Sequence, residues 1–103
     1  MSYGRVNYEY NGIPIGALPI REGVAKGRIL GMVCPGSVFK VLDSQYYEAG
    51  RRNPKAGVHL KICAGNVVGW VLARYSHWIS DDAYRAMGWA ERSKTNPVYH
   101  QHE

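Results

Sequence analysis

The sequence predicts an all-β fold: a small β-barrel with an N-terminal β-hairpin and a short C-terminal helix. Three observations point to it. Between Ala17 and Tyr75 the apolar residues come in short runs broken by glycine. These are Leu18 to Gly23, Ile29 to Val33, Val38 to Leu42, Leu60 to Cys63 and Gly69 to Val71. Short apolar runs bounded by turn residues mark antiparallel strands. Asn11-Gly12 stands between an alternating stretch and Ile13-Pro14-Ile15, the commonest two-residue hairpin signal. Ser80 precedes Asp81 and Asp82, a helix N-cap followed by acids where the dipole favours them.

The chain has 103 residues, enough for one small domain with thin stability margins. Its 46% hydrophobic content is that of a globular protein. The net charge is +5, and 10 of the 13 basic residues but only 4 of the 8 acidic ones precede residue 81. The cationic excess therefore falls on the expected barrel, where it solubilises the surface or attracts a polyanion. Only two cysteines occur, Cys34 and Cys63, too few for a disulfide framework. The first residues lack the apolar core of a signal peptide, and no apolar stretch reaches the roughly 20 residues of a membrane span. A cytoplasmic protein with free thiols is the default expectation, unless the chain is cut from a longer one.

In chain order, residues 5–10 alternate with Val6, Tyr8 and Tyr10 on one side, as a strand does. Pro14 confines the return strand to an edge. Residues 1–16 are thus an N-terminal extension, 17–78 the barrel, and 79–103 a short helix and loose tail. Leu18 and Ile20 point inward on the first barrel strand, and residues 22–28 form a loop. Ile29, Gly31 and Val33 share a face; Pro35-Gly36 turns the chain; Phe39 and Val41 point inward. Residues 43–57 are long for a connection between strands. They carry Tyr46 and Tyr47 at the base, Arg51, Arg52 and Lys55 near the tip, and are expected to extend the hairpin in part. Val58, Leu60 and Ile62 alternate with His59, Lys61 and Cys63, which places the latter three outward. Gly65-Asn66 turns into a last long strand, Val67 to Leu72. In the helix, Gly88 favours an early end.

Leu18, Ile20, Arg21 and Gly23, then Ile29 to Leu42, then Gly69-Trp70-Val71 fit in order the pattern L-x-V-R-S-G, V-I-G-x-L-x-x-G-x-x-V-x-V-L and G-W-V. The chain in this way resembles the bacterial-type SH3-like (SH3b) domains over a little more than half its length. The resemblance implies an SH3-like barrel serving as a binding module, with cell-wall glycopeptide among the ligands of such domains. It also implies that catalytic groups of associated peptidases sit in a separate domain. Gly69 to Tyr75 is similar to the G-x-x-P-x-N-Y ending of eukaryotic SH3 domains, with Leu72 and Arg74 in place of the proline and asparagine. That likeness makes Tyr75 a groove residue.

The residues themselves argue for binding over catalysis. His59 and Cys63 share a strand face about 13 Å apart, too far for a nucleophile–base pair. Cys34 precedes a proline turn with no helix N-terminus to activate it. His100 and His102 form no ligand set, so neither a metal nor another cofactor is expected. Asn96-Pro97-Val98-Tyr99 matches a short turn motif that phosphotyrosine-binding domains take, with low specificity. The aromatic set is more informative: eight tyrosines and three tryptophans against one phenylalanine. Tyrosine and tryptophan combine area with a hydrogen-bonding edge, which suits interfaces. The expected ligand-binding residues are Tyr8, Tyr10, Tyr46, Tyr47, Arg51, Arg52, Trp70 and Tyr75. The expected partner is a protein or peptide, within a larger assembly, held by an aromatic groove beside a basic inserted loop. Nucleic acid or another polyanion is the alternative, bound by Arg51, Arg52, Lys55 and Lys61 with tyrosine stacking.

Overall fold

The computed structural model describes residues 2–50 and 52–87. Seven strands form one antiparallel sheet: β1 (Ser2–Val6), β4 (Leu18–Gly23), β5 (Lys26–Val33), β6 (Val38–Tyr47), β7 (Gly57–Ala64), β8 (Val67–Leu72) and β9 (Ser76–Ile79). Their order is β5-β4-β8-β7-β6-β1-β9. The expected closed barrel is not formed, because β5 and β9 are the two edges of the sheet and do not pair. A separate hairpin pairs β2 (Glu9–Tyr10) with β3 (Ile13–Pro14). Its turn is Asn11-Gly12, with φ of 53° and 80°, the two positive values that a type I′ turn requires and that these residue types tolerate.

The strand expected over residues 5–10 is split. Val6 is buried, while Tyr8 and Tyr10 are exposed. Backbone bonds explain the break: Val6 N–H donates to Ser37 O (2.9 Å), Asn7 N–H to Tyr75 O (2.8 Å) and Ile15 N–H to Tyr8 O (3.1 Å). The chain leaves one sheet there and enters the other. β1 itself lies between β6 and β9, with Gly4 opposite both Phe39 and Trp78.

Leu18, Ile20, Val33, Phe39, Leu60, Ile62 and Val71 form one buried core together with Val6, Ala64 and Val67. Val41 is partly buried and packs against it. Ile29 stands apart from the core and is only partly buried. Register shifts on either side of Arg21 change the strand's facing there, as bulges do. Residues 22–28 are not a loop. β4 runs through Gly23, β5 begins at Lys26, and a two-residue turn joins them. The Glu22 carboxylate holds this hairpin end, accepting from the Arg28 backbone (3.2 Å) and guanidinium (3.0 Å). Those two bonds, with the charge of Arg28, keep its pKa below the usual carboxylate value.

After β8 a 3-10 turn, Ala73–Tyr75, leads into β9. The helix α1 (Asp81–Ala86) starts where expected, with the Ser80 hydroxyl accepting from Ala83 N–H at 3.0 Å. It docks on the sheet through Tyr84, whose ring stacks on Tyr3 with centroids 3.8 Å apart. Gly88, the 96–103 tail with its Asn-Pro-x-Tyr motif, and Arg51 lie outside the described residues. Both cysteines are free thiols.

Two substitutions test this packing. Phe39 is 2% exposed, so Phe39→Ala should cost about 3–5 kcal/mol. A Cβ on Gly69 would stand 2.6 Å from the Arg21 carbonyl oxygen and from Ile20. Gly69→Ala should therefore destabilise by about 1–3 kcal/mol, the usual range for overpacking. Urea unfolding followed by tryptophan fluorescence measures both, and a neutral Gly69→Ala would refute the close approach of β4 to β8.

Candidate functional site

Trp70 and Tyr75 meet in one pocket. Its volume is about 120 Å³, and it lies along the seam between β4 and β8. Leu18 and Pro19 form one wall; Trp70, Val71 and Leu72 form the other. β4 and β8 are paired at a single position, Arg21 opposite Trp70. Beyond that position the two strands are not paired, and residues of both line the pocket. Tyr75 reaches it from the 3-10 turn, and Ala25 from the β4–β5 turn.

The charged groups around this pocket are cationic. Arg21 and Lys55 line it, and no Asp or Glu does. In register, the Trp70 indole stands between Arg21 on β4 and Lys61 on β7. Arg21 is oriented by a bond to Gly27 O at 3.3 Å. Lys55 is placed by the loop that joins β6 to β7. There Asn53 Oδ1 accepts from Lys55 N–H at 2.9 Å, and the Arg74 guanidinium donates to Ala56 O. Arg74 also lies 6.0 Å from the Tyr75 ring centroid, within cation–π reach. This one arginine fastens the end of the loop beside the pocket.

His59 also lines the pocket, and here the sequence expectation is corrected. Strand parity places His59 on an outward face, yet it is 3% exposed. Outward is not solvated at this position, because other residues cover it. The Tyr47 ring meets the imidazole edge-on at 5.9 Å, and Leu72 is its cross-strand neighbour. Val58, on the core side of the same strand, is exposed instead, since β7 extends past the core there. The His59 Nδ1–H donates to Gly57 O at 3.2 Å, which leaves Nε2 as the acceptor in the neutral ring. Burial lowers the His59 pKa below the usual imidazole value. The Gly57 bond opposes this, and the nearby charges of Arg74 and Lys55 add to the lowering.

The other expected site residues are dispersed. Tyr10 contacts Tyr75 edge-on at 5.2 Å and so backs the pocket. Tyr47 backs it through His59. Tyr8 is exposed and lies over Gly36. Tyr46 pairs with Val58 on the opposite face of the sheet. Arg52 is exposed in the loop. Pro19, Arg21, His59, Leu72 and Arg74 carry no site signal in the sequence; the pairing of β4 with β8 and of β7 with β8, where His59 stands opposite Leu72, brings them together. A second recess of about 240 Å³ lies on the Val58 face, lined by Gly4, Leu60, Ser76 and the exposed Trp78 among others. Among the described residues, no cluster of three or more metal-ligating side chains occurs.

The lowered pKa of His59 links stability to pH. The folded chain binds this proton less readily than the unfolded chain, so protonation favours unfolding. Stability from this group is full above about pH 6.5, falls as pH drops towards the folded value, and levels off below it. Urea midpoints measured across this range should show that fall, and His59→Gln should flatten it.

Comparison with protein-family models, with curated proteins and with solved structures finds no match to this chain.

Proposed function

We propose that this chain is an SH3-like, non-catalytic binding module that holds a segment of a protein or peptide partner in the pocket between Trp70 and Tyr75. The observation that carries this reading is the convergence of Trp70, Tyr75, Pro19 and Leu72 on one recess of about 120 Å³ with Arg21 and Lys55 beside it. Concave apolar sites with a few fixed polar groups are the usual form of a recognition pocket. Aromatic and arginine residues supply most anchors at interfaces. The SH3-like part of the reading draws on the pieces of sequence that carry the resemblance. They fall on β4, β5, β6 and β8, and Leu18, Ile20, Val33, Phe39 and Val71 from them share one core.

A polyanion is the second reading. It is favoured by the cross-strand row Arg21–Trp70–Lys61, which sets an indole between two cations as single-stranded nucleic acid binders do. Salt separates the two. Polyanion affinity falls log-linearly and steeply with salt, whereas a peptide seated on aromatic walls responds far less.

Partner capture from a lysate, with identification by mass spectrometry, supplies the ligand for the test. Trp70→Ala and Tyr75→Ala should each weaken it tenfold or more, since anchors of this type exceed about 1 kcal/mol. Replacing Arg51 and Arg52 together by serine should leave stability within about 0.5 kcal/mol and weaken binding less than the pocket substitutions do. A partner whose affinity ignores Trp70 and Tyr75 would refute the assignment of the site.

A further inference from the structure

We infer that the pocket is built for an acidic side chain of the peptide partner, and that seating this carboxylate brings a proton onto His59. The inference rests on the reading that the pocket holds a peptide. It adds the chemical class of the residue bound.

The first argument is charge. Arg21 and Lys55 line the pocket, Arg74 stands beside it, and no carboxylate lies on its walls. Among the described residues, neither Arg21 nor Lys55 has an ion-pair partner. An anion entering here meets fixed positive charge without having to displace a protein acid.

The second argument is the imidazole. His59 is almost fully buried, lines the pocket, and uses Nδ1 on the Gly57 carbonyl. Its Nε2 has no protein partner among the described residues. A buried polar atom without a partner is costly. The groups facing the ring are Tyr47 from β6, Arg74 and Tyr75 from the 3-10 turn, Lys55 from the loop, and Arg21 across the pocket. None is an acid, so in the free protein nothing compensates an imidazolium. A bound carboxylate supplies the missing negative charge. The ring takes a proton from solvent at Nε2 and donates it in a hydrogen bond to the carboxylate oxygen, a charge-assisted contact. The Leu18, Pro19 and Leu72 walls accept the apolar residues that flank the acid.

The test uses the full chain and a matched pair of probes, acetyl-Leu-Glu-Leu-amide and acetyl-Leu-Gln-Leu-amide, titrated by NMR at about pH 5.5 and about pH 8. The peptide acid, with a pKa of about 4.3, stays ionised across this range. The glutamate peptide should bind at least about threefold tighter at the lower pH and should raise the titration midpoint of the His59 ring, as linkage requires. The glutamine peptide should bind more weakly, with no pH dependence. Lys55→Gln changes an exposed side chain and should reduce the preference for the glutamate over the glutamine peptide by about threefold or more.

Equal affinity for the two peptides, or no response of Trp70 and Tyr75 to either, would overturn the acidic-residue assignment. In that case a neutral captured partner that still depends on Trp70 and Tyr75 would leave the module reading standing. A glutamate preference with an unmoved His59 midpoint would overturn the proton coupling.

Discussion

The close approach of β4 to β8 is the constraint on which the rest of this molecule depends. The two strands share one register position, Arg21 opposite Trp70. Gly69 makes it reachable, because any side chain there would meet the β4 backbone and Ile20. Through this contact the β4–β5 hairpin joins the β6–β7–β8 meander, and Leu18, Ile20 and Val33 join the core that Phe39, Ile62 and Val71 begin. The same contact makes the pocket. Strands paired along their full length leave no gap between them, and unpaired strands leave no wall. A single paired position leaves a recess lined by both strands, with Trp70 at the pairing point.

Much of this order is visible in the residues. Asn11-Gly12 sets its hairpin, Ser80 caps its helix, and most of the alternating apolar positions point into the core, because each is a local effect of backbone geometry or strand period. Open closure is not local. Whether β9 pairs with β1 or meets β5 depends on contacts across more than forty residues of chain, and no window of sequence carries that register. The insertion of β1 between β6 and β9 is invisible for the same reason. Trp70 and Tyr75 were legible because amphipathic aromatics near a strand end suit interfaces. His59 was not. Parity assigned it a face, and only tertiary contacts from Tyr47 and Leu72 decide that this face is covered.

The two recesses differ in a way that bears on their use. The larger, beside Trp78, is framed by Val58, Leu60, Ala73 and Gly4, with His77 as its titratable group. It presents apolar area without a fixed charge. The smaller one at Trp70 sets cations and a buried imidazole around an aromatic wall. Apolar area gives affinity for many surfaces, whereas placed polar groups discriminate among ligands, since each wrong partner leaves one of them unsatisfied. Of the two, the smaller is the one that sets placed charges beside an aromatic wall.

The long connection between β6 and β7 takes its meaning from that pocket. Part of it is strand, since β6 runs to Tyr47 and β7 begins at Gly57. The remainder folds back through turns at Gly50–Asn53 and Asn53–Ala56, and Arg74 holds its end. The loop thus delivers two groups to the β8 side of the sheet: Lys55 beside the pocket and Tyr47 against His59. Tyr47 ends β6 and Lys55 stands two residues before β7, so Lys55, expected near the tip, belongs to the base instead. A loop held at its base can vary at its tip without moving the residues that shape the site. Arg52, exposed in the loop, can therefore change without moving Lys55 or Tyr47, which the strand ends and Arg74 hold.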